Sequence, residues 1–312
     1  MHSMFVKTLM SKSMNPAQLI QTLRKSSLGF ALIAAPFAVS AADATTAAAP
    51  ISAPPPPSIF SGDFGITTAN QYNTRGIIVQ NDGVTFQPYL DLNAKVFEGD
   101  GFINKISLQL NLWSDVSTNK DVSAATSGNK HFTEFDYAFG FNVQFAKRFS
   151  LTSVWNRYLS PADGYKDGQF INSTLSYDDS GLLAENFSLQ PHFTFLYELP
   201  DDGQAGLRAK AWYFEPGISP NTTLFKKSQA PVNAAFVIKA GLGNKFYAGN
   251  TVGYVAFGPQ FTASLNFIAP QYGKWTASAG YLYYYLGDNL AAIAPGGDHS
   301  QNLFTFSTGV SF

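Results

Sequence analysis

A two-residue rhythm of apolar and polar side chains runs through most of this chain and limits it to β-sheet. In Phe102–Val116 the even positions give Phe102, Ile106, Leu108, Leu110 and Leu112, and the odd positions give Lys105, Ser107, Gln109, Asn111 and Asp115. In Thr133–Phe145 the odd set is Phe135, Tyr137, Phe139, Phe141, Val143 and Phe145, against Glu134, Asp136, Ala138, Gly140, Asn142 and Gln144. Val84–Val96 opposes Phe86, Leu90 and Leu92 to Gln87, Asp91, Asn93 and Lys95. Successive side chains of a strand point to opposite faces, so each segment has one greasy and one wettable side. Shorter alternations span Ile171–Tyr177, Leu189–Glu198, Phe257–Phe267 and Trp275–Tyr285. Weaker ones lie at 62–72, 149–159, 206–214 and 233–243, and the faces of 149–159 are mixed. With the closing segment 303–312 the total is about twelve, an even number that lets an up-and-down sheet close with antiparallel neighbours throughout.

A soluble β-sandwich would also alternate. Here the polar faces are mostly small or uncharged and the apolar faces are heavily aromatic, as expected of girdles at two membrane interfaces. Aromatic residues make up 15% of the chain and charged residues only 13%, where soluble proteins carry about a quarter charged. No long apolar helix follows residue 41, so a closed barrel is the remaining way to span a bilayer. The expected fold is all-β: a transmembrane antiparallel up-and-down β-barrel over residues 61–312. Glu98–Gly101 and Ala146–Arg148 read as tight links, and 117–130, 160–167 and 287–298 as longer ones. The link at Phe225–Pro231 is long for the end on which it should fall. Pro88, Pro191 and Pro259 fall inside expected strands, where proline removes a ladder hydrogen bond, and mark strand ends or bulges.

The N-terminal region carries Lys7, Lys12, Arg24 and Lys25 with no acidic residue before Asp43. An apolar run from Leu28 to Val39 ends at Val39-Ser40-Ala41, the pattern of a secretory signal peptide cleaved after Ala41. Residues 42–60, with Pro54 to Pro57 in sequence, read as an Ala/Pro-rich periplasmic linker that buries little. Removing residues 1–41 takes away four basic and no acidic residues, leaving a formal charge of −5. No basic tract suggests nucleic acid. The chain has no cysteine, which removes disulfides, thiolate metal sites and a lipid anchor on cysteine.

The chain stops on an aromatic residue. Phe304, Phe306, Val310 and Phe312 share one parity, and Thr305, Ser307, Gly309 and Ser311 hold the other. This resembles the C-terminal signal of bacterial outer-membrane β-barrels, whose last strand is read by the barrel-assembly machinery. The resemblance implies an outer-membrane location, with lipid and lipopolysaccharide as surroundings. The stretch Thr67–Gly76 carries Tyr72-x-x-Arg75-Gly76. This segment, together with Leu175–Asp178, Leu189–Pro191 and Phe195–Tyr197, resembles the TorF-type porins loosely across residues 62–312. That resemblance implies a channel and says little of its solute. From the residues themselves, Arg75 reads first as an anchor at the membrane interface, with lining of the exterior mouth as the alternative, and Gly76 as permitting a turn.

For function, the polar parity is the stronger signal. Asp91, Lys95, Lys105, Gln109, Asp115, Glu134, Asp136, Asp178, His192, Glu198, Arg208, Lys210 and Lys239 are expected to line the lumen. Both signs of charge are present, so the interior can hydrate small hydrophilic solutes or can pair and fill itself. Passive diffusion through a porin-like channel is the first expectation. A closed barrel with a structural, adhesive or loop-mediated binding role is the alternative. No HExxH, P-loop or GxSxG pattern occurs, so neither enzyme activity, metal nor cofactor is expected. Ser114 and His131 share outward parity on neighbouring segments and would meet, lipase-like, if the 117–130 loop closed symmetrically.

Overall fold

Fourteen strands of the computed structural model form one antiparallel sheet that closes on itself. The structure describes residues 58–119, 131–162, 166–200, 211–247, 249 and 251–312. The expected signal segment, the linker up to residue 57, Arg208 and Lys210 lie outside the described residues. In chain order the strands are β1 (Phe60–Ala69), β2 (Tyr72–Thr74), β3 (Ile77–Gln80), β4 (Thr85–Glu98), β5 (Ile103–Ser117) and β6 (Phe132–Phe145). Next come β7 (Phe149–Leu159), β8 (Gly168–Tyr177), β9 (Phe187–Ser188), β10 (His192–Glu198), β11 (Trp212–Ile218) and β12 (Asn221–Leu224). The last four are β13 (Val232–Gly243), β14 (Val252–Ser264), β15 (Lys274–Leu286) and β16 (Ser300–Ser311), with a short helix α1 (Asp288–Ile293) before β16.

Twelve strands make the wall, because β9 with β10, and β11 with β12, each act as one interrupted strand. Closure comes at two seams. β1 pairs with β16 from Asp63↔Ser311 to Ala69↔Thr305, and β11 pairs with β13. Gly62 and Phe312 exchange both backbone hydrogen bonds, at 3.0 and 2.9 Å. The first strand and the last residue therefore share one end of the barrel, termed the terminal end below. Short links at this end join β4 to β5 and β6 to β7. The far end carries the longer connections, including 70–84 and 287–299.

The two-residue rhythm becomes two faces. Leu108, Phe139, Phe193, Phe236, Phe257, Phe304 and Phe306 are exposed and form cross-strand aromatic contacts such as Phe236–Phe257 and Tyr281–Phe304. The opposite face is knitted by short polar pairs between neighbouring strands. Asn111 donates to Asp91 at 2.7 Å, Gln109 to Asn93 at 3.0 Å and Ser278 to Thr262 at 3.0 Å. Side chains alternate because the pleat does, so pairing register and burial are one property of the sequence.

The prolines take two forms. Pro191 sits in the interruption between β9 and β10, beside Gln190 at φ 48°. Pro88 and Pro259 stay within strands, paired with Ile66 and Phe236 on one side, and both drop out of the ladder on the other side. Of the expected strand at 206–214, residues 206–210 lie outside the described residues; the wall strand described here runs from Trp212 to Leu224 across a break at Ser219–Pro220. The link into β13 is Phe225–Pro231, the span expected, and it remains longer than the links from β4 to β5 and from β6 to β7 at the same end. The faces of β7 also resolve. Tyr158 lies on the inner face, where it meets Arg75, while Ser153 and Arg157 have the outer parity, so neither set is purely apolar.

The link after β8 is tied down by carboxylates. Asp179 is buried and accepts the backbone N–H of Leu189 at 2.8 Å and of Gln190 at 2.9 Å. Burial alone would raise its pKa, but the two N–H donors outweigh it and hold the group below the ordinary carboxylate range. Bonding to Ser180 and Gln190 lowers Asp178 likewise. A depressed folded-state pKa stabilises above the unfolded value of about 3.9 and is lost as pH falls through the folded value. Amide exchange should therefore show Leu189 and Gln190 protected near neutral pH and losing protection below about pH 4. Asp179→Ala should remove that protection at every pH; unchanged protection in this variant would contradict the assignment.

Candidate functional site

The far half of the barrel is filled from within. β2 and β3 form a hairpin separate from the wall, with Thr74 opposite Ile77 and a two-residue turn at Arg75-Gly76. Both turn residues have positive φ, 52° and 79°, as the hairpin turn that matches strand twist requires. Asn73 supports the turn by accepting the Gly76 N–H at 3.0 Å. A Cβ on Gly76 would lie 2.6 Å from the Tyr254 ring, so position 76 demands glycine for conformation and for space.

Contacts with residues far apart in sequence place this hairpin inside. The Arg75 guanidinium donates to the Tyr158 hydroxyl at 2.6 Å and lies 5.4 Å from the same ring's centroid. The Tyr247 hydroxyl donates to the Arg75 carbonyl at 3.0 Å. Tyr72 packs on Trp113 of β5 with ring centroids 5.3 Å apart. Arg75 is thus not the interface anchor that its place at a strand end suggested. Its guanidinium is held by an interior phenol because the connection turns inward instead of continuing outward.

Beside the hairpin tip lies an aromatic and charged cluster. Tyr213, Tyr247, Tyr254, Tyr284, Leu196, Leu286 and Leu290 are all buried there. The Tyr247 ring lies over backbone near Gly243 and Gly253, where added Cβ atoms would approach it to 2.9 and 2.5 Å. Glu215 of β11 accepts from the hydroxyls of Tyr213 and Tyr254, and Lys239 of β13 approaches it at 3.3 Å. These four groups satisfy one another, with Tyr213 and Tyr254 buried and Glu215 and Lys239 half-buried. On the other side of the hairpin a cavity of about 250 Å³ is bordered by Gln71, Asn73, Arg75, Gln87, Trp113, Glu134, Asp136 and Tyr158.

The polar positions read from the sequence distribute unevenly. Asp115 is fully buried, accepting from Gln87 at 2.9 Å and from the Thr133 hydroxyl. Glu134 is buried beside Asp136 on β6, and Glu198 is buried at the far end of β10. Asp91 and Gln109 sit midway, in the polar pairs described above. Lys95 pairs with Glu98 near the terminal end, with Lys105 opposite Glu98 across the strand pair. His192 Nδ1 lies 3.2 Å from the Gln190 carbonyl. Lys239 joins the Glu215 cluster. Asp178 is a correction: it falls past the end of β8, exposed in the link to β9, because the strand stops at Tyr177. Ser114 and His131 are not opposite one another either. The register sets Ser114 across from Phe135 and bonds His131 to Ser117 through backbone and ring. Among the described residues no three His, Asp or Glu side chains converge as a metal site.

Arg75 as an interior group, Tyr213, Tyr254, Tyr284, Glu215 and Trp113 were missed by pattern reading. A signal existed: Trp113, Tyr254 and Tyr284 are aromatic residues on the polar parity. Large rings on the inner face of a small barrel must pack on something inside it.

No known protein family and no curated protein matches the chain. Among solved structures it is similar to an outer-membrane channel from Pseudomonas putida F1 (TM-score 0.46, 11% identity, 81% of this chain and 94% of that one). It is also similar to a bacterial polysaccharide outer-membrane secretin (0.43, 9%, 81% and 98%). A third is the beta domain of the Bordetella autotransporter BrkA (0.43, 11%, 81% and 99%). Likeness at these values is too distant for an activity to follow from it.

Removing the Glu215 carboxylate should be costly, because it strands Lys239 and two phenols in the interior. Glu215→Ala should lower unfolding free energy by about 1–3 kcal/mol, measured by denaturant titration in lipid vesicles. Gly76→Val should release the hairpin and raise amide exchange at Ile77–Gln80 without opening the wall strands. Unchanged exchange there would contradict the docked turn.

Proposed function

We propose that this chain is an outer-membrane channel whose far end is narrowed by its own inward-folded hairpin, and that small hydrophilic solutes cross it by passive diffusion. The observation that carries this reading is the contrast between the two halves of the inner face. Toward the terminal end, Asp91, Asn93, Gln109, Asn111, Asn142, Thr174 and Thr194 are short, polar and partly exposed. Toward the far end, Asp115, Thr133, Glu134, Tyr213 and Tyr254 are buried. A wettable vestibule leading to a tight, charged section is the arrangement by which a pore selects solutes. The exposed aromatic face supports insertion in lipid, and the shared outward parity of Phe304, Phe306, Val310 and Phe312 supports recognition of β16 by the barrel-assembly machinery. The TorF-type resemblance at Tyr72–Gly76 falls on the hairpin itself and fits the same reading.

The filled far half also favours a second reading, a closed barrel acting through its far-end loops. Planar-bilayer recording separates the two. The refolded chain should give stepwise conductance, and deletion of residues 71–81 should raise the step size several-fold. A correctly folded protein that stays silent, with and without the hairpin, would leave the closed barrel as the answer.

A further inference from the structure

From Pro216 to Gly287 the chain has no acidic residue. At the terminal end this stretch forms two links, Phe225–Pro231 between β12 and β13 and Leu265–Gly273 between β14 and β15. Backbone bonds join them into one surface. Asn266 donates its N–H to the Gln229 carbonyl at 2.8 Å, and Ser264 donates to that of Pro231 at 3.0 Å. Lys226, Lys227 and Lys274 are exposed there. So are three rings: Phe225 at 70%, Phe267 at 66% and Tyr272 at 68%. Phe225 has φ 52°, a conformation that bulky residues seldom take, and the Ser228 N–H closes the turn on its carbonyl at 2.8 Å.

The other links at this end differ. The one from β4 to β5 sets Glu98 and Asp100 beside its bases. Arg148, before β7, donates to the carbonyls of Asp178 and Ser180 at 2.8 and 3.1 Å. β9 adjoins β12, so the link between β8 and β9 is the neighbour on that side. Its Asp178 and Asp179 are bonded within the link, which sets Glu185 against three lysines.

The surroundings restrict what can cover this surface. The outward-facing Phe261 and Trp275 belong to the wall strands that run into it, so whatever meets the wall ends where the lysines begin. Aromatic rings favour the headgroup level of a bilayer, and lysines placed there attract anionic lipid. A zwitterionic headgroup carries a quaternary cation beside its phosphate, so three lysines favour a headgroup of net negative charge. We propose that the joined links form a binding surface for anionic phospholipid headgroups, with Lys226, Lys227 and Lys274 on the phosphates and the three rings seated beside them. The proposal rests on the reading that the outer face meets lipid, and it holds for a conducting or a closed barrel alike. It gives the long Phe225–Pro231 link a use that a simple turn would not have.

The test is quenching by brominated lipid in the refolded full chain. A fluorophore on Gln271→Cys, an exposed position between Phe267 and Tyr272, reports without background because the chain has no cysteine. The vesicles mix phosphatidylcholine with phosphatidylglycerol, and each lipid is brominated in turn. The label should report a relative affinity about fivefold in favour of phosphatidylglycerol, the effect of one lysine near an anionic surface. Lys226→Gln, Lys227→Gln and Lys274→Gln together should abolish that preference, and Lys147→Gln on the link from β6 to β7 should leave it. Gel migration before and after heating checks that each variant is folded. A second label, on Leu108→Cys in the wall, should be quenched by both lipids alike. With quenching at 108, an absence of preference or of any quenching at 271 overturns the headgroup surface and leaves the membrane reading. A preference that survives loss of all three lysines also overturns it. No quenching at either position overturns both.

Discussion

A backbone amide placed in hydrocarbon without a hydrogen bond costs several kcal/mol, and a sheet avoids that cost only by having no edge. Closure is the condition on which the rest of this molecule depends. The seam between β1 and β16 is the most local evidence of it, since Gly62 and Phe312 exchange hydrogen bonds at the chain's last residue. The second seam, β11 with β13, forms despite two interrupted strands. Prolines and a left-handed Gln190 break the ladder there, and the short pieces β9 and β12 restore pairing on the terminal side. Once closed, the wall gives every strand an inside and an outside, and the alternation of side chains acquires its meaning.

The inside then has its own packing problem. A wall of twelve strands lies between the roughly eight that side chains alone can fill and the roughly 16 to 18 that leave a wide aqueous channel. This chain answers differently at its two ends. Toward the terminal end, short polar side chains bond to neighbours along the wall and leave space. Toward the far end, the 70–84 connection turns inward and tyrosines close around it. The ring of Tyr247, the backbone of Arg75 and the phenol of Tyr158 connect residues from three separate parts of the chain. Interior charges follow the same logic: Glu215 and Lys239 are adjacent, and Arg75 is held over an aromatic face, where a buried cation gains both a hydrogen bond and a favourable quadrupole.

Much of the wall was legible in the sequence. β4, β5 and β6 alternate strictly because one side of each meets an apolar surround and the other a polar interior, so their faces follow from composition. β7 did not yield because Tyr158 is on the inner face and Arg157 on the outer. The stretch from Glu215 to Leu224 was not read as strand because Pro216, Pro220 and the charged Glu215 lie within it, which locally argue against a strand. The hairpin was hidden for a different reason. Its turn is Arg-Gly, not the usual Asn-Gly, and its inward direction is set by partners such as Tyr247, 172 residues from Arg75. No local pattern encodes such a contact. What the sequence did contain was the count of rings on the polar parity, and that count is a tertiary clue.

The central claim is that one face of each wall strand meets lipid and the other a hydrated interior. The chain has no cysteine, so single cysteines report without background. Cysteine substituted in turn for Leu108, Gln109, Leu110, Asn111 and Leu112, in refolded vesicle-embedded protein, can be scored with a water-soluble maleimide and with quenching of an attached fluorophore by a lipid-borne quencher. The account predicts strict alternation: Gln109 and Asn111 labelled from water, and Leu108, Leu110 and Leu112 quenched from lipid. Labelling from water at all five positions, or quenching that follows no two-residue period, would contradict it.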